Sequence, residues 1–278
     1  MGKKIIFSEE QIKDIKERYS NGESYINIGQ VYNVSNKTIK RLLDNENVES
    51  RGNRKHFYNE KIFDKIDNAE KAYWIGFIAA DGYINEERNF MRIKLQECDL
   101  DHLKKFIKFI NGDEKMIKYE YHNLTGNKQY YVEVNGKYFI NSLIKLNLRQ
   151  GKSSGKEQLS PIPKKYIKDY IRGLWDGDGH IEEKALDLIS SIEILEFVQN
   201  YLYETCDISI GKITNHCNTY RIFICKNRDK VLKHLYYKNC ISLDRKYNTS
   251  VNLINIFKLK KQLKETYTKK LKNIGRLK

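Results

Sequence analysis

The sequence predicts an α+β protein. Its core is a pseudo-twofold duplication of an α-β-β-α-β-β-α unit with antiparallel pairing, preceded by a small all-α domain and followed by a basic helix. Three observations predict this. First, Trp74-Ile75-Gly76-Phe77-Ile78-Ala79-Ala80-Asp81-Gly82 recurs 97 positions later as Ile171-Arg172-Gly173-Leu174-Trp175-Asp176-Gly177-Asp178-Gly179. Each copy has small residues four apart and ends in Asp-Gly. Second, the same order of strand-period and helix-period segments follows each copy. Third, a separate helical pattern with its own caps fills residues 1–50.

Composition narrows the partner. The chain has 278 residues, 40% of them apolar, so it buries a full core. A net charge of +15 points to a polyanion, nucleic acid first. The 20 tyrosines suit the same partner through ring contacts. No apolar run reaches the length of a membrane span, and the start, Met1-Gly2-Lys3-Lys4-Ile5-Ile6-Phe7, is too short in apolar residues for a signal peptide. Five cysteines without a C-x-x-C pair fit reduced thiols and a cytoplasmic location. His216-Cys217 with Cys206 and Cys225 lacks zinc-site spacing.

Five segments are expected: 1–50, a linker at 51–68, a first half at 69–153, a second half at 154–250 and a tail at 251–278. Ser8-Glu9-Glu10-Gln11 reads as a capping box, and Ile12, Ile15 and Tyr19 continue a helix that Asn21-Gly22 stops. A short helix carrying Ile26, Ile28 and Val31 follows. Ser35 then caps a third, with Ile39, Leu42 and Leu43 inward. Two short helices around a tight turn resemble a helix-turn-helix, whose last helix would present Asn36, Lys37, Lys40 and Arg41 to base edges and phosphates. In the linker, Arg51 and Arg54 either track phosphates or sit in a plain tether.

In the first half, Phe90, Arg92, Lys94 and Gln96 alternate with Met91, Ile93 and Leu95, a strand with one polar face. A helix over Leu100–Ile110, strands near 116–121 and 130–134, and a helix through Phe139 and Leu146 follow. The second half matches, with a strand at 185–190, a helix at 192–203, strands at 211–215 and 220–225, and a helix through Val231 and Leu235. Arg92, Lys94, Lys212 and Arg221 would face a bound duplex.

The repeat itself has a physical reading. Gly76 and Ala80, like Gly173 and Gly177, are spaced to let two helix backbones meet. Asp81 and Asp178 then fall together at helix C-termini, where the dipole and mutual repulsion both disfavour them. A hard divalent cation, Mg²⁺, relieves both penalties, and metals at such acids would serve phosphodiester hydrolysis.

These stretches resemble the LAGLIDADG homing endonuclease family, with two motifs in one chain as in its single-chain, pseudo-symmetric members. The resemblance covers residues 69–250. It implies saddle-shaped antiparallel sheets, a monomer, and a Mg²⁺-dependent hydrolase that cuts both strands of a long asymmetric DNA site. It implies Asp81 and Asp178 as catalytic metal ligands. It places a basic residue late in each half, here Lys152 and Lys246, to position water or stabilise charge, and polar neighbours at Glu97 and Ser190. Ala79 departs from the motif where the second copy has Asp176, so the halves are expected to be unequal. The chain lacks an N-terminal nucleophile and a terminal His-Asn, which reads as a free-standing or intron-encoded frame rather than an intein. The alternative is a non-cleaving binder of the same fold, either an intron RNA maturase or a transcription regulator. A recombinase lacks its Ser or Tyr nucleophile context. Last, Leu253, Ile256, Leu259, Leu263, Tyr267 and Leu271 form a stripe expected to pack the basic tail helix on the core.

Overall fold

In the computed structural model, residues 5–20, 23–48, 56–122, 124–149, 158–209 and 211–273 are described. The chain divides into two units, Met1–Asn59 with Lys108–Met116, and Glu60–Ile107 with Ile117–Lys278.

The first unit holds helices α1 (Glu9–Ser20), α2 (Tyr25–Val31) and α3 (Asn36–Asn45). The capping box forms reciprocally: the Ser8 amide donates to Gln11 Oε1 at 2.9 Å and the Gln11 amide to Ser8 Oγ at 3.2 Å. Ser24 and Ser35 accept from the amides of Asn27 and Thr38 to open α2 and α3. Ile15, Tyr19, Ile28, Ile39 and Leu43 make the buried centre. A Cβ on Gly29 would lie 2.7 Å from the Val34 carbonyl, so the α2–α3 turn closes on a glycine. Ile26 and Val31 differ from expectation, each being 57% exposed. Ile26 lies across a seven-residue helix from Ile28, and Val31 ends that helix before the left-handed turn at Asn33 (φ 52°). Asn21-Gly22 lies outside the described residues.

The second unit repeats one plan. Helix α4 (Ala69–Asp81), capped by Asn68, leads into β1 (Gly82–Asn85) and β2 (Phe90–Gln96), then α5 (Leu100–Phe109), β3 (Ile117–Tyr121), β4 (Lys128–Asn135) and α6 (Lys137–Lys145). Helix α7 (Ile167–Asp178) leads into β5 (Gly179–Ile181), β6 (Leu186–Ser190), α8 (Ile192–Cys206), β7 (Thr214–His216), β8 (Thr219–Ile224) and α9 (Arg228–Leu235). Helix α10 (Asp244–Asn273) follows. Each sheet is antiparallel, in the orders β1-β2-β4-β3 and β5-β6-β8-β7. The α+β duplication is therefore present, element for element. β1 and β5, which follow the Asp-Gly steps directly, are too short to show a period in the sequence. In β2 the alternation holds: Met91, Ile93 and Leu95 are buried and their neighbours are not.

Helices α4 and α7 are the central contact. A Cβ on Gly76 would sit 2.1 Å from the Tyr170 carbonyl oxygen, and one on Gly173 would sit 2.1 Å from that of Tyr73. Tyr73 and Tyr170 are themselves repeat equivalents, so the contact is reciprocal. One step on, a Cβ on Gly177 would meet Ala80 Cβ at 2.2 Å. The small residues spaced four apart do what their spacing predicts.

The tail differs. Leu253 is buried and Ile256 half-buried, but Leu259, Leu263 and Tyr267 are 59%, 69% and 64% exposed, so the stripe packs only at its start. Helix α10 is 30 residues long, which is about 45 Å at 1.5 Å per residue. Its last ties to the body include Phe257, under the Arg228 guanidinium, and Lys260, paired with Glu183. Beyond them it runs past the body's edge. The side chain of Leu271 lies outside the described residues.

Gly76→Ala and Gly173→Ala place a methyl against a main-chain oxygen of a packed helix, which cannot swing aside. Each is expected to destabilise by about 3 kcal/mol, the upper end for an overpacked core. Thermal melting tests this; a midpoint within a degree of the parent's in both variants contradicts the packing.

Candidate active site and nucleic-acid interface

Asp81 and Asp178 are the last residues of α4 and α7, and the glycine after each begins a strand. The backbone there is extended, so these glycines are required by crowding alone. A Cβ on Gly82 would come 2.7 Å from the Ile78 carbonyl, and one on Gly179 2.6 Å from that of Trp175. The strand thus folds back closely over the last helical turn. Asp81 is half-buried and Asp178 exposed. The seating of Gly177 on Ala80 draws the two helix ends together, with the Asp81 amide nitrogen 3.4 Å from a Cβ built on Gly177.

Lys246, in the first turn of α10, lies beneath this pair and is only 6% exposed. Its Nζ donates to the carbonyls of Trp175 and Asp176 at 2.7 Å each and of Gly179 at 2.6 Å. Carbonyls at a helix end lack part of their intrahelical bonding, and here an ammonium binds those of Trp175 and Asp176 together with that of Gly179 at the start of β5. Burial lowers the Lys246 pKa to about 8, against the attraction of Asp176, Asp81 and Asp178. Both motif acids therefore act on this one charge. Its bonds to three carbonyls hold the ammonium in place and oppose the loss of its proton that burial favours.

Asp176 is fully buried. It accepts from the Tyr73 hydroxyl at 2.8 Å, the Tyr236 hydroxyl at 2.7 Å and the Leu243 amide at 2.7 Å. Burial raises its pKa, opposed by the Lys246 charge and these three donors. His102 Nε2 stands 2.9 Å from the Tyr73 hydroxyl. Since that hydroxyl's hydrogen goes to Asp176, Nε2 carries the ring hydrogen. Burial, with Lys105 and Arg245 nearby, lowers the His102 pKa to about 3 and keeps the ring neutral. Arg172, equally buried, donates to the carbonyls of Ile241 at 2.7 Å and Leu235 at 2.9 Å and to Asp169 at 2.8 Å. This polar set is hidden in the sequence, where Arg172 sits inside an apolar run. The available signal is the contrast of Asp169, Arg172 and Asp176 with Ala72, Ile75 and Ala79 at equivalent positions.

The remaining candidates are dispersed. Asn36, Lys37, Lys40 and Arg41 are all exposed on the first part of α3. Arg92 is paired with Glu133 at 2.7 Å and Lys94 with Glu120 at 3.0 Å, while Arg221 pairs with the buried Asp187. Those acids come from neighbouring strands or the strand's own sheet, so alternation within one strand could not reveal them. Lys212 is exposed. Glu97 lies 3.9 Å from Lys128 Nζ and accepts from the Tyr130 hydroxyl at 3.4 Å; Ser190 pairs across the sheet with Tyr220. Lys152, Arg51 and Arg54 lie outside the described residues. Among the described residues no group of three or more His, Cys, Asp or Glu side chains is placed to hold a metal, the His216–Cys217 region included.

The topology reproduces what the motif resemblance implied: twin helices in glycine contact, each ending in an acid and each feeding a four-stranded antiparallel sheet. The architecture is the one that the resemblance to the LAGLIDADG family implied. No known protein-family profile matches the chain. It is 26% identical over 189 residues to an uncharacterized protein of Methanocaldococcus jannaschii, covering 66% of this chain and 64% of that one. It is 25% identical over 187 residues to the glutamine–fructose-6-phosphate aminotransferase of the same organism, covering 62% of this chain and 16% of the other. The chain thus spans less than two thirds of these relatives. Among solved structures it is similar to the homing endonuclease I-WcaI bound to its DNA recognition sequence, with 15% identity, 73% and 96% coverage and a TM-score of 0.47. It is also similar to full-length DUF199/WhiA from "Thermatoga maritima", with 14% identity, 77% and 72% coverage and a TM-score of 0.45. A third is I-DmoI in complex with DNA and Ca, with 16% identity, 66% and 94% coverage and a TM-score of 0.41.

The pseudo-twofold maps Tyr73 with its Asp176 onto Tyr170 with Ala79. The Tyr170 hydroxyl is buried beside Ser160 without a hydrogen bond of normal geometry. Tyr73→Phe is therefore expected to cost about 1.5–3 kcal/mol, the range for a hydrogen bond to a charged group, and Tyr170→Phe to be neutral or stabilising. Denaturant unfolding of the two variants decides this; equal destabilisation would show that the two hydroxyls are equivalent.

Proposed function

We propose that the chain is a site-specific double-strand DNA endonuclease of the homing type that depends on Mg²⁺. The observation that carries the reading is the meeting of Asp81 and Asp178 at two helix C-termini above the buried Lys246 ammonium. Nothing in the fold requires acids there, since the helix dipole and mutual repulsion oppose them.

The donor set fits the metal. Mg²⁺ keeps several waters and is commonly bound through one or two carboxylates plus substrate phosphate oxygens, not by an all-protein cage. Two carboxylates at adjoining helix ends, with no group of three or more His, Cys, Asp or Glu among the described residues, are compatible with that habit. Asp81 and Asp178 would hold it. When bound, the metal supplies a Lewis acid for the scissile phosphate and an acidified water.

The chain's own residues do the rest. Lys246 binds the carbonyls that end α7, so the negative end of that helix does not face the phosphate. The Gly-on-carbonyl contact fixes the two acids relative to each other without side chains that could shift. The strand cations Arg92, Lys94, Lys212 and Arg221 would lie along the duplex, with Lys152 as the first half's basic residue. The first unit resembles a helix-turn-helix, and α3 would add a tethered contact through Asn36, Lys37, Lys40 and Arg41, with Arg51 and Arg54 in the linker between. The chain would act as a monomer on a long asymmetric site. A non-cleaving binder of this fold, whether an RNA maturase without nuclease activity or a regulator, has no use for two carboxylates facing phosphates.

Asp81→Asn and Asp178→Asn are each expected to lower double-strand cleavage by at least about a thousandfold, the scale of removing a metal or charge-stabilising group at a phosphoryl centre. DNA affinity should change little. The substrate is obtained by selecting cleaved members of a randomised duplex library with Mg²⁺; unaltered cutting by both variants removes the mechanism. Deleting residues 1–50 should weaken binding and flatten its salt dependence by about 0.9 in slope for each phosphate that the truncated chain no longer neutralises. An unchanged slope would show that α1–α3 do not touch the backbone.

A further inference from the structure

We infer that Asp176 and Arg172 are positioning residues for Lys246, and that they make the two halves' cutting centres unequal. The inference rests on the proposed nuclease reading only for its second clause.

The starting point is an inequality in the repeat. Helix α7 carries Asp169, Arg172 and Asp176 where α4 carries Ala72, Ile75 and Ala79. Both helices are otherwise buried and packed on each other through the same glycines. The fold is satisfied by the apolar version, as α4 demonstrates. Burying an arginine and two carboxylates carries a desolvation penalty that apolar packing avoids. The polar set must do something other than pack.

Its partners show what. Arg172 holds the carbonyls of Leu235 and Ile241, and Asp176 holds the amide of Leu243 and the hydroxyl of Tyr236. Tyr237 donates to Asp169 at 2.6 Å. They run from Leu235, the last residue of α9, along the connection to α10. The Leu243 carbonyl in turn accepts from the amides of Lys246 and Tyr247 at 3.0 Å each, which starts α10. The first turn of α10 then returns Lys246 Nζ to the carbonyls of Trp175, Asp176 and Gly179. The circuit closes: α7 grips the connection, the connection sets the turn, and the turn delivers an ammonium to the end of α7. Asp176 stands at both ends of it, by side chain and by main chain. The α4 positions equivalent to Asp169, Arg172 and Asp176 are apolar, so that helix has no such set to offer its own half. The centre served by Lys246 is held by side chains of its own motif helix that have no counterpart in the sequence of α4.

Two measurements on Asp176→Asn and Asp176→Leu test this. Phe139→Leu, a core truncation in the first half, serves as a control for general destabilisation. The first measurement is pulsed amine acylation of the full-length protein read by mass spectrometry, with no DNA. Lys246 should be strongly protected in the parent and in Phe139→Leu. In the Asp176 variants it should label at least about tenfold faster, as expected for opening of one local unit. The milder Asn change should fall between. Protection of Lys246 in both Asp176 variants overturns the positioning role. The second is single-turnover cleavage of a duplex with each strand labelled separately. One strand should slow by at least about tenfold while the other stays within about twofold, so that nicked duplex accumulates and DNA affinity is kept. General destabilisation would slow both strands together. Equal slowing of the two strands overturns the inequality. If the parent cuts no duplex but Lys246 is released by Asp176→Leu, the nuclease reading falls and the positioning stands.

Discussion

Two main-chain oxygens set the geometry of the second unit. The Tyr170 carbonyl rests where a side chain of Gly76 would begin, and the Tyr73 carbonyl where one of Gly173 would begin. Helices with ordinary side chains at their crossing stay roughly 8–10 Å apart and can slide by exchanging rotamers. Helices in backbone contact cannot, because no rotamer relieves a clash with a carbonyl. The register of α4 against α7 is thereby fixed, and the register fixes how far apart the helix ends emerge. The Asp-Gly steps then inherit their positions. The two sheets, which start at Gly82 and Gly179, inherit their spacing as well.

Placing two acids at the C-ends of paired helices creates an electrostatic difficulty that the rest of the second half answers. Lys246 meets it from below, and burying Lys246 raises a difficulty of its own, visible in a pKa brought down to about 8. Asp176 meets that one, and its burial is met by two phenols and an amide. Each step satisfies the polar group that the previous step buried, and the sequence ends at the neutral His102 ring beside Tyr73. A buried polar network is stabilising only when every member is satisfied. That explains why the set occurs whole in α7 and is absent whole from α4. Tyr170, the counterpart of Tyr73, keeps a buried hydroxyl without a hydrogen-bond partner among the described residues, and the counterpart of its acid is Ala79.

Much of this is legible in the sequence, for identifiable reasons. The repeat of Gly76 and Ala80 as Gly173 and Gly177 specifies the helix contact because a four-residue step on a helix has only one geometry. Ser8, Ser24 and Ser35 cap helices through local contacts that the chain order itself supplies. Where the sequence misleads, the deciding partner is remote. The tail stripe of Leu259, Leu263 and Tyr267 has helical periodicity, but periodicity says only that a face exists, not that the body reaches it. Arg172 looks like an interruption of an apolar run because its partners lie 63 and 69 residues on. Lys246 is recognisable as a basic residue near the acids, yet its attachment to main-chain carbonyls is not, since carbonyls carry no sequence signature.

The same limit bears on the sheet faces. Alternation along β2 identifies Arg92 and Lys94 as outward, and a net charge of +15 makes them look like simple phosphate binders. Both are engaged by glutamates of the same sheet. The exposed Lys94–Glu120 pair is held by roughly 0–1 kcal/mol, so a duplex can open it at small cost; the half-buried Arg92–Glu133 pair is held more firmly. Opening one, however, leaves a carboxylate facing the nucleic acid. Glu133 and Glu120 would repel a phosphate and accept a hydrogen bond from a cytosine amino group. A face built from such pairs gives up non-specific attraction in exchange for discrimination between base edges. On the proposed reading, the chain's non-specific affinity for DNA would come from elsewhere, from exposed lysines such as those of α3 and α10, and the sheets would be left to choose the sequence.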